Sequence, residues 1–412
     1  MKKIVSIALS LVLVVGIFAM PNFNTVNATE HADMLENLSD YDYTKFKDDG
    51  ITLNVANWGE YLSINDPESL DVNRAFEELT GIDINYKTYE TNEALYSKIK
   101  GSGADYDIVI PSDYMISRMI DENMLQKLDF SQIPNMSMID EKFKNPIYDE
   151  KNEYSVPYMW GIVAILYNKT MVENPVDSWD MLWDEEYKNN ILMFDNPRDA
   201  FGLTLKKLGY SLNTTNSDEL KQALEELKKQ KPLVQAYVMD QIFDKMEKGS
   251  SAIGVYYGGD ILTMMDANPD LDYILPKEGT NRFVDAMCIP TTAKNKEAAQ
   301  MYINFLCETE VALANCEYIG YSTPHTEAIK LLDDEIRNNK LCYPSDEYLS
   351  KNTEAFINLP DATNKELQEL WTELKVNQSA NKWLIFIVIG ALAALAIVVS
   401  VVRRKKKKEA DY

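Results

Sequence analysis

"ITLNVANWGEYLSINDPESLDVNRAFEELTGIDINYKTYETNEALYSKIKGSGADYDIVI", residues 51–110, contains three strand-like segments separated by two helix-like ones. Residues 51–55 and 82–89 alternate between apolar and polar side chains, and residues 107–110 form an apolar run after one aspartate. The order is therefore strand, helix, strand, helix, strand. It predicts a parallel sheet, because a helix between two strands returns the chain to start the second strand in the same direction as the first.

Both predicted helices carry start and stop signals. Asp66 and Pro67 are a cap and a favoured first helical residue, and Gly81 ends the first helix. Asn92 can cap the second helix, which Gly101 ends. The apolar faces recur at helical spacing and consist of Val72, Phe76, Leu79, Leu95 and Ile99. Each helix therefore has one face that can pack on the sheet.

A second set of strands and helices follows further along the chain. Residues 191–194 and 252–257 are apolar strand-like runs. Ser217 opens a helix between them, with Leu220, Leu224 and Leu227 on one face. A chain of 412 residues with 46% hydrophobic residues exceeds what one core usually organises. The sequence therefore predicts two α/β lobes.

The two ends of the chain have the composition of export and membrane segments. Residues 1–28 start with basic residues, continue as an apolar stretch and end in Val-Asn-Ala, which is typical of a signal peptide. Residues 29–49 are predicted to be a linker. Residues 383–402 carry no charge and are long enough to span a bilayer, and the basic residues that begin the segment 403–412 mark its cytoplasmic side. We expect an exported domain held at the membrane by a C-terminal transmembrane helix.

Composition excludes several classes of partner and catalyst. The net charge of −24 argues against nucleic acid and anionic lipid as partners and permits a cationic one. With only two histidines, a histidine-based catalytic triad or a two-histidine zinc motif has almost no candidate residues. The four cysteines permit disulfides in an exported domain but lack metal or redox spacing. We therefore predict no enzyme, no metal and no cofactor.

Aromatic and acidic residues follow each predicted strand. Open α/β sheets bind ligands outside the carboxyl ends of their strands. The residues at these ends include Trp58, Glu60, Tyr61, Ser112, Asp113, Tyr114, Asp195, Asn196, Asp199, Tyr256 and Tyr257. Carboxylates neutralise ammonium groups, while ring faces cover methylene groups and attract cations. Such a lining suits a flexible cation with apolar segments, for example a linear polyamine.

The chain also resembles the extracytoplasmic spermidine/putrescine-binding proteins of ABC transporters. The resemblance covers about residues 53–374 and is carried by the motifs NWGEY, YETNEALYSKIK, YDIVIPSDYM, YSVPYMWG, DSWDMLW, KKLGYSLNTT, PKEG, FVDAMCIP, AKNKEAA and IGYSTP. It implies a ligand site formed by Trp58, Tyr61, Ser112, Tyr114, Asn196, Asp199, Tyr257, Phe283, Asp285 and Tyr321.

The resemblance further implies a role for several of these residues. Asp285 would bind the middle amine of the ligand and Asp199 a terminal ammonium, while Trp58, Tyr257 and Phe283 would line the methylene chain. Three kinds of departure from the family pattern bear on which polyamine is preferred. Asn196 replaces an acid, Tyr257 and Phe283 replace tryptophans, and Ile357 replaces a glutamine.

The resemblance implies a two-lobed fold of the type II periplasmic-binding-protein kind with discontinuous lobes. Lobe 1 would comprise residues 50–159 and 284–329, and lobe 2 residues 160–283 and 330–376. The chain would cross between the lobes near residues 159–161 and 283–288. A ligand held between the lobes would favour their closed form, which would dock on an ABC permease and release the ligand into it.

Two other classes of function are compatible with the sequence. A receptor of the same fold could bind another cationic solute or an iron complex; an amino acid would need an arginine for its carboxylate, and Arg198 is the one arginine in the predicted lining. A sensory or enzymatic ectodomain is the second alternative, with Ser112 beside Asp113 as a nucleophile and base.

Overall fold

The computed structural model describes residues 31–64, 69–101 and 104–376. Within them the strands are β1 (Thr52–Trp58), β2 (Asp83–Tyr89), β3 (Ile108–Val109), β4 (Ser155–Asn168), β5 (Ile191–Phe194), β6 (Val234–Val238), β7 (Ile253–Tyr257), β8 (Leu271–Ile274), β9 (Thr280–Cys288) and β10 (Thr353–Glu354). The α-helices are α1 (Val72–Thr80), α2 (Asn92–Lys100), α3 (Asp113–Asp121), α4 (Pro197–Lys207), α5 (Ser217–Gln230), α6 (Gln241–Glu247), α7 (Gly258–Ala267), α8 (Lys296–Leu306), α9 (Thr309–Ile319), α10 (Thr326–Leu331), α11 (Asp334–Arg337), α12 (Asp346–Asn352) and α13 (Asp361–Lys375).

The first strand group consists of β1, β2 and β3. β1 lies in the middle and pairs in parallel with both neighbours, in the order β2-β1-β3. The parallel arrangement predicted from residues 51–110 is therefore confirmed. β3 is shorter than the predicted strand, since only Ile108 and Val109 pair in register with β1.

The helix starts differ from those expected from the sequence. α1 begins at Val72 with Asp71 as its cap, and the Asp71 carboxylate accepts a hydrogen bond from Arg74 N at 2.9 Å. The start predicted at residues 66–67 lies outside the described residues. α2 is capped by Thr91, whose hydroxyl accepts from Ala94 N at 3.1 Å, so the prediction of Asn92 as the cap is wrong by one residue. Threonine satisfies the free N–H groups of the first turn as an asparagine would.

The second strand group consists of β5, β6 and β7. β5 pairs in parallel with β6 and β7, and α5 follows α4 with Leu220, Leu224 and Leu227 buried, as predicted. α13, near the C-terminus of the described chain, packs on α4 and α5 and so also belongs to this side of the molecule. A second α/β unit is therefore present.

Two antiparallel strands, β4 and β9, cross between the strand groups. Ser155–Ile162 of β4 pair with β9, whereas residues 163–168 pair with β7 and β8 of the second side. β9 in turn reaches β3 through Cys288 and β10 through Thr280. Every residue of β4 is buried, because both of its faces are covered by packed elements. The fold is thus two-lobed α/β, while the exact lobe boundaries stay a prediction.

Several predicted segments cannot be compared with these elements. The signal peptide at residues 1–28, the transmembrane helix at 383–402 and the basic tail at 403–412 lie outside the described residues. Among the helices that are described, none has the length and apolar character needed to cross a membrane. Cys288, Cys307, Cys316 and Cys342 are all buried and unpaired.

Candidate ligand-binding site

The loop after β1 is held by the side chain of Asn57. This residue is fully buried; its Nδ2 donates to Tyr61 O at 2.9 Å, and its Oδ1 accepts from Trp58 N at 2.9 Å. Glu60 adopts a left-handed conformation with φ of 49°, which lets the chain reverse within the loop. The NWGEY motif therefore works as a clamped turn that directs Tyr61 into the interior.

Asp285, on the crossing strand β9, is held by two hydroxyl groups. Tyr61 Oη donates to its Oδ2 at 2.7 Å and Ser112 Oγ donates to its Oδ1 at 2.6 Å. Asp285 is 4% exposed, and its backbone forms a bridge with that of Ser112. Burial raises the pKa of Asp285 to about 6 despite the two hydrogen bonds, which favour the charged form. The first strand group and β9 together thus form one carboxylate centre.

Asp199, on the first turn of α4, forms a second carboxylate centre. Asn196 caps α4 by accepting from Arg198 N at 2.9 Å, and Pro197 is the first helical residue. Tyr257 Oη, from the end of β7, donates to Asp199 Oδ2 at 2.9 Å. Burial raises the pKa of Asp199 to about 7, although the Tyr257 bond and the charge of Arg198 act in the opposite direction.

A row of ring contacts joins the two carboxylate centres. The centroid distances are 5.4 Å between Tyr257 and Phe283, 6.0 Å between Phe283 and Tyr321, and 5.1 Å between Tyr321 and Tyr61. All three pairs meet edge to face, the arrangement that aromatic side chains favour. We call Tyr257, Phe283, Tyr321 and Tyr61 the aromatic row. It runs from Asp199 at one end to Asp285 at the other.

Two glycines allow the aromatic row to pack. A Cβ atom at Gly259 would lie 2.0 Å from Tyr321 Cδ2, and one at Gly161 would lie 2.7 Å from Phe283 Cζ. Both distances are far below van der Waals contact, so each glycine provides the space that one ring occupies. Gly161 lies on β4 opposite Phe283 in the β4–β9 pairing.

Asp260 is a carboxylate at this site that the sequence analysis missed. It lies on the first turn of α7, and its Oδ2 accepts a hydrogen bond from Tyr321 Oη at 2.7 Å. Burial raises its pKa to about 7, the Tyr321 bond opposes that shift, and nearby Asp240 adds to it. The signal was present, because Asp260 follows the strand-exit residues Tyr257, Gly258 and Gly259 directly.

Tyr114 lies where the two sides of the molecule meet. Its hydroxyl donates to Glu93 Oε1 at 2.9 Å, and its ring lies 6.1 Å from that of Phe356, just before α13. The Arg198 guanidinium lies 5.9 Å from the Tyr114 ring and 4.4 Å from the Phe356 ring. Arg198 also donates to the backbone oxygen of Ile357 at 3.1 Å. Ile357 therefore contributes its backbone to this contact.

Trp58 and Asn196 make their contacts outside the two carboxylate centres and the aromatic row. The Trp58 ring packs on Tyr89 at 4.6 Å, and its buried Nε1 finds no acceptor within the described parts of the chain. The Asn196 side chain caps α4. Direct contacts join seven of the ten predicted residues in two centres and one row: Tyr61, Ser112, Asp199, Tyr257, Phe283, Asp285 and Tyr321.

The chemistry available at this site is binding of cations. Ser112 Oγ donates to Asp285, and the neighbouring Asp113 accepts from Tyr114 N at 2.7 Å, so the pair is not arranged as a nucleophile and its base. Asp199, Asp260 and Asp285 form no ion pair with a Lys, Arg or His side chain of the described residues. In the described chain no group of three or more potential metal ligands is present either.

Comparisons with known proteins identify the relatives of this chain. The family model for bacterial extracellular solute-binding proteins matches residues 72–342. A spermidine/putrescine-binding periplasmic protein of Salmonella typhimurium is 41% identical over 306 residues, which are 74% of this chain and 86% of that protein. In a solved structure, a Listeria monocytogenes protein assigned to a spermidine/putrescine ABC transporter is 41% identical with a TM-score of 0.75, covering 79% of this chain and 99% of its own.

A second solved structure is also similar. The spermidine/putrescine ABC transporter substrate-binding protein PotD of Streptococcus pneumoniae is 40% identical, with a TM-score of 0.69 over 79% of this chain and 99% of its own. The resemblance drawn from the sequence motifs is therefore confirmed. Because the relatives are solute-binding proteins, the prediction that this chain is not an enzyme is confirmed as well. The chain belongs to the family of bacterial extracellular solute-binding proteins.

Proposed function

We propose that this protein is a receptor that captures a linear polyamine between its two lobes and delivers it to an ABC permease. One observation carries the proposal: Asp199 and Asp285 are buried at opposite ends of the aromatic row, and their side chains bond to hydroxyl groups rather than to cations of the described chain. Relatives that are named for binding spermidine and putrescine support the same ligand class.

The two buried carboxylates favour a ligand that carries positive charge. An ionised carboxylate without a partner is costly to bury, and the raised pKa values of Asp199 and Asp285 express that cost. A polyamine would place an ammonium group at each carboxylate. Its methylene segments would lie against the rings of Phe283 and Tyr257, which attract cations by about 0.5–2 kcal/mol each.

Arg198 distinguishes a polyamine from an amino acid as the ligand. A free guanidinium in the lining would favour a carboxylate on the ligand. Arg198 is instead 7% exposed and donates to Asn213 Oδ1 at 2.8 Å and to Ile357 O at 3.1 Å. Its Nη2 donors are therefore used inside the protein, and the polyamine is the better match.

Lobe closure follows from where the proposed ligand residues originate. Tyr61 and Ser112 come from the first strand group, whereas Asp199 and Tyr257 come from the second. A ligand stabilises the closed form only by contacting it better than the open form, and contacts from both sides provide that difference. Asn358, which precedes α13, also donates a hydrogen bond from Nδ2 to Oδ2 of Asp121, at the end of α3, at 3.1 Å.

The proposal includes attachment to the membrane. Residues 1–28 would direct export and residues 383–402 would anchor the chain, with the binding domain on the extracytoplasmic side. Membrane fractionation with and without residues 383–402 tests this part separately. Release of the shortened chain into the medium is expected, and its retention would contradict the anchor.

Thermal unfolding of the full chain in detergent tests the ligand. Spermidine or putrescine at about 100 times its dissociation constant should add about 2.7 kcal/mol to the free energy of unfolding. Lysine, at the same concentration, is the matched control for a cationic amino acid. A shift with lysine and none with any polyamine would overturn the proposed ligand class.

A further inference from the structure

His325 is a buried histidine that caps a helix outside the proposed ligand site. It is 1% exposed and lies at the N-terminus of α10, a position that serine, threonine, aspartate or asparagine usually occupies. Its Nδ1 accepts a hydrogen bond from Ala328 N at 3.1 Å, and its Nε2 lies 3.1 Å from the carbonyl oxygen of Cys307, directly after α8. The ring therefore connects the start of α10 to the end of α8.

The two partners assign the tautomer of His325. A backbone N–H can only donate, so Nδ1 accepts from Ala328 and carries no proton. Nε2 therefore carries the ring proton and donates it to the Cys307 carbonyl. Both ring nitrogens are thus used by the neutral imidazole. A second proton can only go on Nδ1, where the new N–H would face the N–H of Ala328.

The acidic groups around this ring already have partners of their own. Glu308, at the start of α9, accepts hydrogen bonds at 2.6 and 2.9 Å from the segment before β1. Glu327 on α10 pairs with Lys330 at 2.6 Å, and Asp140 pairs with Lys142 at 3.6 Å. In the described chain no carboxylate forms an ion pair with the ring. Burial lowers the pKa of the imidazole, although its carbonyl partner and the charges of Glu327 and Glu308 act in the opposite direction.

A short segment leads from the aromatic row to this ring. Tyr321 belongs to the row, the backbone of Ser322 forms a bridge with β4, and that of His325 forms a bridge with Ile139. α10 begins at the next residue. The downstream end of residues 321–325 is therefore fixed by one backbone bridge and by the side chain of His325.

We propose that His325 is an acid-sensitive switch: protonation of its Nδ1 breaks the bond to Ala328 and releases α10 from the end of α8. Only the neutral ring fits the closed arrangement, whereas both forms of the ring are accommodated once it reaches water. The closed arrangement therefore binds fewer protons here than the opened one. Its stability is fully present above about pH 6.5, the ordinary value for histidine, and is lost as the pH falls below that value. The switch does not depend on which ligand the cleft binds.

Hydrogen exchange of the full chain in detergent, measured by mass spectrometry, tests the switch. The amides of Ala328, Ile329 and Leu332 report on α10, because each donates a hydrogen bond within this helix or to its cap. After correction for the intrinsic pH dependence of exchange, their protection should fall between about pH 7.5 and pH 5.5. The fall can reach about tenfold, the limit set by an ordinary histidine in the opened state. The protection of α5 should not follow this change.

Two variants make the test specific. Asparagine caps a helix and does not titrate in this range, so α10 in His325→Asn should have the same protection at both pH values. His31→Asn is the matched control, because His31 is the other histidine of the sequence, and this variant should keep the loss in acid. Equal protection of the unmodified chain at both pH values, or the same loss in His325→Asn, would overturn the switch. If circular dichroism shows His325→Asn to be unfolded, His325→Ser takes its place with the same expectation.

Discussion

Tyr61 donates a hydrogen bond of 2.7 Å to Asp285, although the two residues are 224 positions apart in the chain. The bond joins the clamped loop after β1 to the crossing strand β9. It therefore links the first strand group to the strand that leads into the other side of the molecule. Four predictions follow from this contact and its neighbours.

Replacing Asp285 by asparagine should remove most of the affinity for a polyamine. Asparagine keeps the size of the side chain and can still accept from Tyr61, but it has no charge. Losing one partner of a buried charge pair costs about 2–5 kcal/mol, so we expect affinity to fall by about 100-fold. Calorimetric titration measures this change, and Asp270→Asn serves as the control. Unchanged affinity in Asp285→Asn would remove Asp285 from the site.

Polyamine affinity should rise with pH between about 5 and 8. Burial raises the pKa of Asp285 to about 6 and that of Asp199 to about 7, and an ammonium group binds the ionised form of each. At pH 5 both carboxyls must therefore lose a proton when the ligand binds. Below its pKa, each carboxyl makes the affinity rise by about tenfold per pH unit. Titration in buffers of different ionisation enthalpy counts the released protons. Affinity that is independent of pH would contradict this coupling.

The empty protein should gain stability when Asp199 or Asp285 is replaced by asparagine at pH 8. Their pKa values in the folded state lie above the ordinary 3.8, so between about pH 4 and 7 the folded state holds protons that the unfolded state has lost. The contribution of the two protonated carboxyls to the stability of the folded state is thus lost as the pH rises through that interval. Melting temperatures should be higher for Asp199→Asn than for the unmodified chain at pH 8, with a smaller difference at pH 5. A melting temperature of Asp199→Asn that is lower than that of the unmodified chain by the same amount at both pH values would exclude this explanation.

Gly259→Ala should destabilise the protein and weaken ligand binding together. The added Cβ would lie 2.0 Å from the Tyr321 ring, so the ring must move, at a cost of about 1–3 kcal/mol for an overpacked site. Gly59→Ala is the control, because nothing lies within 4 Å of a Cβ placed there. Urea unfolding measures the stability difference. Equal stability of the two variants would show that Tyr321 is not fixed by Gly259.

Local patterns in the sequence predicted much of the fold. The alternation in residues 51–55 and 82–89 matches β1 and β2, and the apolar run at 191–194 matches β5. The end of α1 at Gly81 is confirmed, with a φ of 71° that suits glycine. The start of α2 was predicted less well. Thr91 and Asn92 are both good capping residues, and the local sequence did not distinguish between them.

The candidate site was predicted in its composition but not in its contacts. Strand-exit reasoning found Tyr61, Ser112, Asp199 and Tyr257, and the family resemblance added Phe283, Asp285 and Tyr321. Neither approach found Asp260, although it lies three residues beyond the end of β7. Its relevance depends on Tyr321, which is 61 positions away in sequence.

The sequence by itself determined the α/β class, the order of strands and helices and the supply of acidic and aromatic residues at strand ends, because these properties depend on neighbours within a few positions. Only the tertiary structure decided which carboxylate bonds to which tyrosine, which rings touch, and that Arg198 uses its Nη2 donors within the protein. Those pairings depend on how β4 and β9 bring distant segments together, and burial there, rather than residue type, raises the pKa values of Asp199, Asp260 and Asp285.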